Sequence, residues 1–164
     1  MKQSLIILVF FPYLLFSQIT IDPNPFEVNQ SVTITVDINS NDTNCNSISN
    51  PDSVYMHAGI GDDNSPWGYS VVGNWGQDDG VGQMSDNGNG TWSITIVPED
   101  YFGLTASQVS SATSMGMVFR NEDGTQELKD QGCSDFFINV GAFQVELINP
   151  DNSGIILVDY NGST

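Results

Sequence analysis

The chain has 164 residues, with 20 acidic side chains against three basic ones and a formal net charge of −17 at pH 7. A surface this acidic repels nucleic acids and anionic lipids, so we expect neither as a partner. Such a surface favours neutral ligands or cations, with solubility alone as the alternative.

The first 17 residues have the pattern of a secretory signal peptide. A single cation, Lys2, precedes an apolar run from Leu5 to Phe16, and the small residue Ser17 follows. This predicts cleavage after Ser17 and a protein that is secreted or held at the cell surface. The alternative is a transmembrane anchor, but the run is shorter than the roughly 20 residues of a membrane-spanning helix. Since the sequence offers no other segment that could cross a bilayer, we expect no membrane insertion after cleavage.

The rest of the chain is rich in Gly, Asn, Asp, Ser and Thr, with short apolar alternations between them. Alternation with a period of two is typical of half-buried β-strands. It predicts strands at Ile19–Asp22, Val32–Asp37, Ser53–Ala58, Tyr69–Val72, Thr91–Val97, Met115–Asn121 and Asp135–Val140. An Asn-Gly pair before Trp92 predicts a tight hairpin turn, and only residues 105–113 suit a helical turn.

Short strands separated by such turns predict an all-β fold. We expect residues 18–141 to form an immunoglobulin-like antiparallel β-sandwich of about seven to nine strands. Residues 142–164 weakly repeat the strand, Asn-Pro turn and strand that follow the signal peptide, which predicts the start of a second, truncated β-domain. The alternative is a final strand pair that belongs to the first domain.

Cys45 and Cys133 are the two cysteines of the chain. An even count in an exported protein predicts a disulfide, with two free thiols as the alternative. Neither cysteine has metal-ligand spacing around it. The acidic loops "GDDNS", "GQDDG" and "NEDG" lack the full spacing of a twelve-residue calcium loop. We therefore expect no metal or cofactor, and calcium stays an open alternative.

The sequence offers no recognisable catalytic centre. It contains neither a Gly-x-Ser-x-Gly motif nor a glycine-rich phosphate loop followed by a helix. Paired carboxylates occur by chance in so acidic a chain, so they do not indicate glycoside hydrolysis. We expect no catalytic residue.

The tryptophans fall into two groups. Trp92 alternates with Ile94 and Ile96 and is expected in the core, whereas Trp67 and Trp75 lie in segments rich in Gly, Asn and Asp. An exposed indole suits the apolar face of a sugar ring, while imidazole, amide and carboxylate groups suit its hydroxyls. The alternative is that one or both loop tryptophans close an end of the sandwich.

The strand "VYMHAG" carries the single histidine, His57. Its alternation places Val54 and Met56 on the core side and Tyr55 and His57 on the other. Trp67 follows ten residues later, across a loop and near the start of the next strand, so a hairpin returns it to the side of His57. This predicts a small saccharide-binding group, with a surface histidine that binds nothing as the alternative.

From Ser53 to Val140, the order "VYMHAG", Trp, "GQM", "GTWSITI", "MGMVFRNEDG" and "SDFFINV" resembles the starch-binding modules of carbohydrate-binding module families 25 and 26. With "VGNW", it also resembles the immunoglobulin-like N-terminal domains of secreted Bacteroidetes α-amylases of glycoside hydrolase family 13. These motifs are short, and their order is the specific part. The resemblance covers a little over half of the chain.

The resemblance implies roles for individual residues. His57 would be the sugar-contacting histidine, Trp67 the stacking tryptophan, and Asn121 and Asp123 part of a turn near the ligand. The modules usually carry a second stacking tryptophan just after that turn, and residues 125–135 have no aromatic. Trp75 would then replace it from another loop.

The implied function is a non-catalytic secreted module that binds α-glucan, either starch or glycogen. It would precede the C-terminal catalytic domain of an amylase-like enzyme in a longer chain. The alternative is an immunoglobulin-like spacer or protein-interaction domain without affinity for sugar.

Overall fold

The computed structural model describes residues 18–40 and 47–141, together with the backbone of residues 146–147 and 158–159. The predicted signal peptide lies outside these residues. Apart from the two short backbone segments, so does the predicted second domain. Both stay predictions.

Nine strands form two antiparallel sheets, which confirms the predicted β-sandwich of seven to nine strands. The strands are β1 (Ile19–Asp22), β2 (Val32–Asp37), β3 (Val54–Asp62), β4 (Ser65–Val72), β5 (Ser85–Gly88), β6 (Thr91–Ile96), β7 (Ser114–Asn121), β8 (Glu127–Leu128) and β9 (Phe136–Asn139). The first sheet has the order β1-β2-β6-β5. The second has the order β4-β3-β7-β8, with β9 also paired to β7.

Two short helices follow β6, namely α1 (Pro98–Phe102) and α2 (Ala106–Val109). The α2 helix lies in the segment expected to form a helical turn, and it begins with a capping box between Thr105 and Gln108. The α1 helix was not predicted. Among the described residues, no helix is long and apolar enough to span a bilayer.

Outside the sandwich, the backbone of Glu146–Leu147 (β10) pairs antiparallel with that of Val158–Asp159 (β11).

One cluster of buried side chains joins the inner faces of the two sheets. The predicted alternation of β2 is confirmed, because Val32, Ile34 and Val36 are all fully buried. Trp92 is 8% exposed and belongs to this core, as expected. Strands β3 and β7 contribute from the second sheet, with Val54, Met56, Ala58, Ile60, Met115, Met117 and Phe119.

The hairpin of β3 and β4 is longer than predicted. Strand β3 runs to Asp62, whose carboxylate accepts hydrogen bonds from the backbone N–H of Asn64 and Ser65, both at 3.0 Å. The pairing then shifts register, since Asp62 lies opposite Ser65 but Ile60 lies opposite Ser70. The extra residues of β4 form a bulge of several residues. This bulge positions the candidate site.

The alternation of β7 predicts that one face is buried and the other is exposed to solvent or half-buried. The expectation for the second face is wrong. Val118 is 5% exposed and Arg120 is fully buried, although both point away from the core. The bulge of β4 and a long loop at residues 73–83 cover that outer face. The central strand of the second sheet is therefore buried on both sides.

The Asn-Gly turn before Trp92 is confirmed as the link between β5 and β6. Both residues have positive φ, at 57° for Asn89 and 79° for Gly90. The Asn39 amide, which donates to the Asn89 carbonyl at 2.8 Å, occupies the space that a Cβ on Gly90 would need. Gly88 has a similar φ of 82° but open space around it.

We expect Gly90→Ala to lower the free energy of unfolding by about 1 kcal/mol more than Gly88→Ala. Both variants strain a left-handed residue, but Gly90→Ala also displaces Asn39 and breaks its hydrogen bond. Urea denaturation of the two variants measures the difference. Equal losses would show that the contact with Asn39 contributes nothing to stability.

Candidate functional site

Four residues lie in one register row across the outer face of the second sheet. Gly59 of β3 pairs with Val71 of β4 and with Gly116 of β7, which in turn pairs with Phe137 of β9. Paired residues of neighbouring strands point to the same face. The two glycines therefore leave a shallow trough between Val71 and Phe137, whose side chains are 49% and 51% exposed.

Trp67 lies in this glycine trough. The bulge of β4 carries its Cα to 3.2 Å from the position of a Cβ on Gly59. A Cβ on Gly116 would lie 2.5 Å from Nε1 and 2.6 Å from Cε2 of the indole. The ring therefore rests directly on the backbone of β3 and β7, which only glycine permits at both positions.

His57 lies next to Trp67, as the hairpin argument predicted. The two rings stack with centroids 5.7 Å apart and planes inclined by 28°. The Nδ1 atom of His57 is 2.9 Å from the Gly73 carbonyl oxygen, which can only accept, so Nδ1 carries the hydrogen. In the neutral form of the ring, Nε2 is then a hydrogen-bond acceptor.

Trp75 closes the other side of His57. Its ring meets the imidazole edge-on, with centroids 5.6 Å apart and an angle of 87° between the planes. Trp75 is 45% exposed, and its Nε1 lies 3.0 Å from the position of a Cβ on Gly124. The indole thus packs against the turn after β7. We call residues 73–83 the Trp75 loop.

Arg120 holds the Trp75 loop and that turn together. Its Nη2 donates to the carbonyls of Asn74 and Gln77, both at 2.8 Å, and these two residues flank Trp75. Its Nη1 donates to the carbonyls of Asn121 at 2.8 Å and Glu122 at 3.0 Å. One guanidinium therefore binds four carbonyl groups from two separate segments.

Burial lowers the pKa of Arg120, but Tyr55, Asp79 and Asp78 oppose the shift. The Tyr55 ring lies beneath the guanidinium, 4.3 Å from its central carbon to the ring centroid. An arginine stays protonated in proteins, and the carbonyl oxygens and the π face stabilise its charge. Sequence analysis missed this residue.

Tyr55 shares the strand face of His57, as predicted, but it lies beneath the Trp75 loop and is 1% exposed. Its hydroxyl donates to the Asp78 carboxylate. Burial, together with that hydrogen bond, raises the pKa of Tyr55, so the hydroxyl stays a donor. Tyr55 therefore supports the loop and does not reach the outer surface.

Asn121 and Asp123 shape the turn against which Trp75 packs. Asn121 is 4% exposed, and its side chain accepts from the Gln126 N–H at 3.0 Å and donates to the Thr125 hydroxyl at 3.3 Å. Asp123 is exposed and accepts from the Thr125 N–H at 3.0 Å and from its hydroxyl at 2.6 Å. At the surface, the structure thus brings together His57, Trp67, Trp75 and the Asp123 turn.

Phe137 was not predicted as a site residue, although the sequence contains the signal. In "SDFFINV", alternation sends Phe136 into the core at 3% exposure and Phe137 to the outer face. Gly59 and Gly116 carried a second signal, because glycine inside a strand marks a close approach by another group.

The two cysteines are only partly described. Cys133 is not a free thiol, and Cys45 lies outside the described residues, so their pairing stays a prediction. Within residues 18–40 and 47–141, no group of three or more His, Cys, Asp or Glu side chains is arranged to hold a metal ion.

The chain belongs to a protein family described as a domain of unknown function (DUF8578), whose model matches residues 19–128. The match covers well over half of the chain. It includes His57, both loop tryptophans and Arg120, and it ends before Phe137. No curated protein matches the chain.

We expect Arg120→Lys to lower the free energy of unfolding by about 3 kcal/mol. A lysine has one ammonium group and cannot reach carbonyls on two segments at once, so buried acceptors lose their donors. Urea denaturation measures the loss, and acrylamide quenching of tryptophan fluorescence reports release of Trp75.

Lys129→Met is the matched control, because Lys129 makes only partly exposed ion pairs with Glu127 at 3.9 Å and Asp135 at 3.6 Å. Such pairs contribute about 0–1 kcal/mol. Similar stability in the two variants would contradict the role given to Arg120.

The hydrogen bonds to Asp79 in the Trp75 loop should persist below the ordinary carboxyl pKa. Hydrogen bonds from Asn74 at 2.7 Å and the Val81 N–H at 3.0 Å lower the pKa of Asp79, and bonds from Thr125 lower that of Asp123. A lowered folded-state pKa stabilises the fold above the ordinary carboxyl pKa of 3.8. This stabilisation is lost as the pH falls through the lower, folded value.

The backbone N–H resonance of Val81, which donates to the Asp79 carboxylate, should therefore keep its chemical shift from pH 7 to the ordinary carboxyl pKa of 3.8 and change only below it. In Asp79→Asn the acid-induced change should be smaller. A shift that titrates above pH 5 would contradict this assignment.

Proposed function

We propose that this protein is a non-catalytic module that binds α-glucan chains, such as those of starch and glycogen. The observation that carries the proposal is the placement of Trp67, whose flat ring is fixed on the glycine trough beside His57. An indole held in this way offers its face to the C–H side of a sugar ring, while Nε2 of His57 accepts from a hydroxyl.

Trp75 adds to the same surface. Its ring stands nearly perpendicular to the imidazole and is 45% exposed. It therefore borders the flat surface that Trp67 and His57 form. In this proposal it takes the place of the second stacking tryptophan that residues 125–135 lack. The exposed Asp123 turn beside it supplies oxygen acceptors for hydroxyls.

Charge favours a neutral sugar over an anionic one. Of the two described cations, Arg120 is fully buried and Lys129 pairs with Glu127 and Asp135. The described surface therefore offers no unpaired cation to a carboxylated or sulfated polysaccharide. The net charge of −17 repels such polymers as well.

In this proposal the module is secreted and precedes a C-terminal amylase-like catalytic domain of a longer chain. It acts by proximity, because binding to a polymer raises the local concentration of substrate near a tethered enzyme. A few stacked rings and hydrogen bonds give modest affinity at a single site.

The second candidate is a spacer or protein-interaction domain. The exposed apolar side chains of Val71 and Phe137, on either side of Trp67, favour it, because a contiguous apolar patch is typical of a protein contact. Under this alternative the outer face contacts another domain and binds no sugar.

Affinity electrophoresis of the purified chain in gels with and without soluble starch tests the proposal. We expect starch to retard the wild-type chain. The association constant for starch, obtained from this retardation, should fall at least tenfold in Trp67→Ala, the equivalent of about 1.4 kcal/mol. Trp67→Phe, which keeps a flat ring, should retain part of the effect.

Gly116→Ala is the matched test of geometry, because it keeps Trp67 but adds a Cβ 2.5 Å from its Nε1. It should also weaken retardation. Thermal unfolding controls for loss of structure in each variant. A folded wild-type chain that migrates equally with and without starch would reject the proposal and leave the spacer.

A further inference from the structure

Phe137 is an exposed aromatic residue at one border of the trough. It lies on β9, and it shares its register row with Gly116. A Cβ on Gly116 would lie 3.0 Å from Phe137 Cε1 and 2.5 Å from Trp67 Nε1. The two rings therefore reach the space above the same glycine.

Phe137 and His57 lie towards different parts of the Trp67 indole. The Nε1–Cε2 edge lies over Gly116, towards Phe137, whereas the six-membered ring lies over Gly59, on the strand that carries His57. The linked rings of Trp75, His57 and Trp67 therefore share the outer face with the ring of Phe137. Phe137 is 51% exposed.

The other side of the trough differs. Val71 is exposed to a similar degree, at 49%, but it has no flat face. Neighbouring strands are about 4.8 Å apart, so the row from Val71 to Phe137 is about 14 Å wide. That width exceeds a single sugar ring, and only the end at Phe137 provides a further stacking position.

We propose that Phe137 is a specificity-determining residue that stacks on a sugar ring next to the one on Trp67. The site then binds at least three consecutive rings of a neutral glucan chain, against Phe137, Trp67 and the His57–Trp75 pair. Affinity rises with chain length until all three positions are filled. This inference rests on the proposed function, because it assigns a length preference to the same surface.

Isothermal titration calorimetry with maltose, maltotriose, maltotetraose and maltoheptaose tests the proposal on the whole chain. For the wild type, we expect affinity to rise about fivefold to tenfold between maltose and maltotetraose, the scale of one additional ring contact. Phe137→Ala should bind maltose as the wild type does but lose this increase. Phe137→Tyr keeps a flat ring and should retain it.

Val71→Ala is the matched control, since it removes an equally exposed apolar group from the opposite end of the row. It should leave the length dependence unchanged. An unchanged increase in Phe137→Ala would overturn the inference while the glucan-binding function stands. If the wild type binds none of the four sugars and no soluble starch, the proposed function fails, and the inference fails with it.

Light scattering of the same samples distinguishes one further explanation. If the wild type is a dimer and Phe137→Ala is a monomer, Phe137 makes a contact between two copies of the chain, and the stacking role is overturned. We expect the same molar mass for both.

Discussion

The buried guanidinium of Arg120 is the contact on which the outer face of the second sheet depends. A buried charge costs several kcal/mol unless it is compensated. Here four carbonyl oxygens and the face of Tyr55 surround it. The carbonyls come from the Trp75 loop and from the turn after β7, so the charge is stable only when both segments are in place. This mutual requirement fixes a long loop that has little regular structure of its own.

Two kinds of support meet in the candidate site. Trp67, His57 and Phe137 belong to strands, and their positions follow from register and from the missing Cβ atoms of Gly59 and Gly116. Trp75 belongs to a loop, and its position follows from hydrogen bonds to backbone carbonyls. The strand residues of the surface are therefore held as rigidly as the sheet. The position of Trp75 depends instead on a small set of hydrogen bonds.

The sequence predicted those features that depend on local alternation. The bounds of β1 and β2 match the structure, Trp92 is in the core, and Trp67 returns beside His57. These features follow from the two-residue period of a strand and from the length of a hairpin. The Asn-Gly turn was recognisable for a similar reason, since few residues adopt positive φ.

Other features depend on segments that are distant in sequence. Tyr55 and Arg120 occupy alternate positions that are expected to be exposed. The Trp75 loop covers Arg120 through Asn74 and Gln77, which are 46 and 43 residues away in sequence. Strand β5 is polar and exposed throughout, and β8 has two residues, so neither carries an alternation. Phe137 is an exception, since local alternation in "SDFFINV" already places it on the outer face.

The complete burial of β7 has a consequence for the energetics of the outer face. All eight of its residues are buried, and strands pair with it on both sides. Amides in such a strand exchange with solvent only when the whole domain unfolds. Within the described residues, the backbone beneath Trp67 is therefore expected to exchange slowly and to have little conformational entropy left to lose. A ligand on this surface would be opposed mainly by its own loss of freedom and by the ordering of the Trp75 side chain.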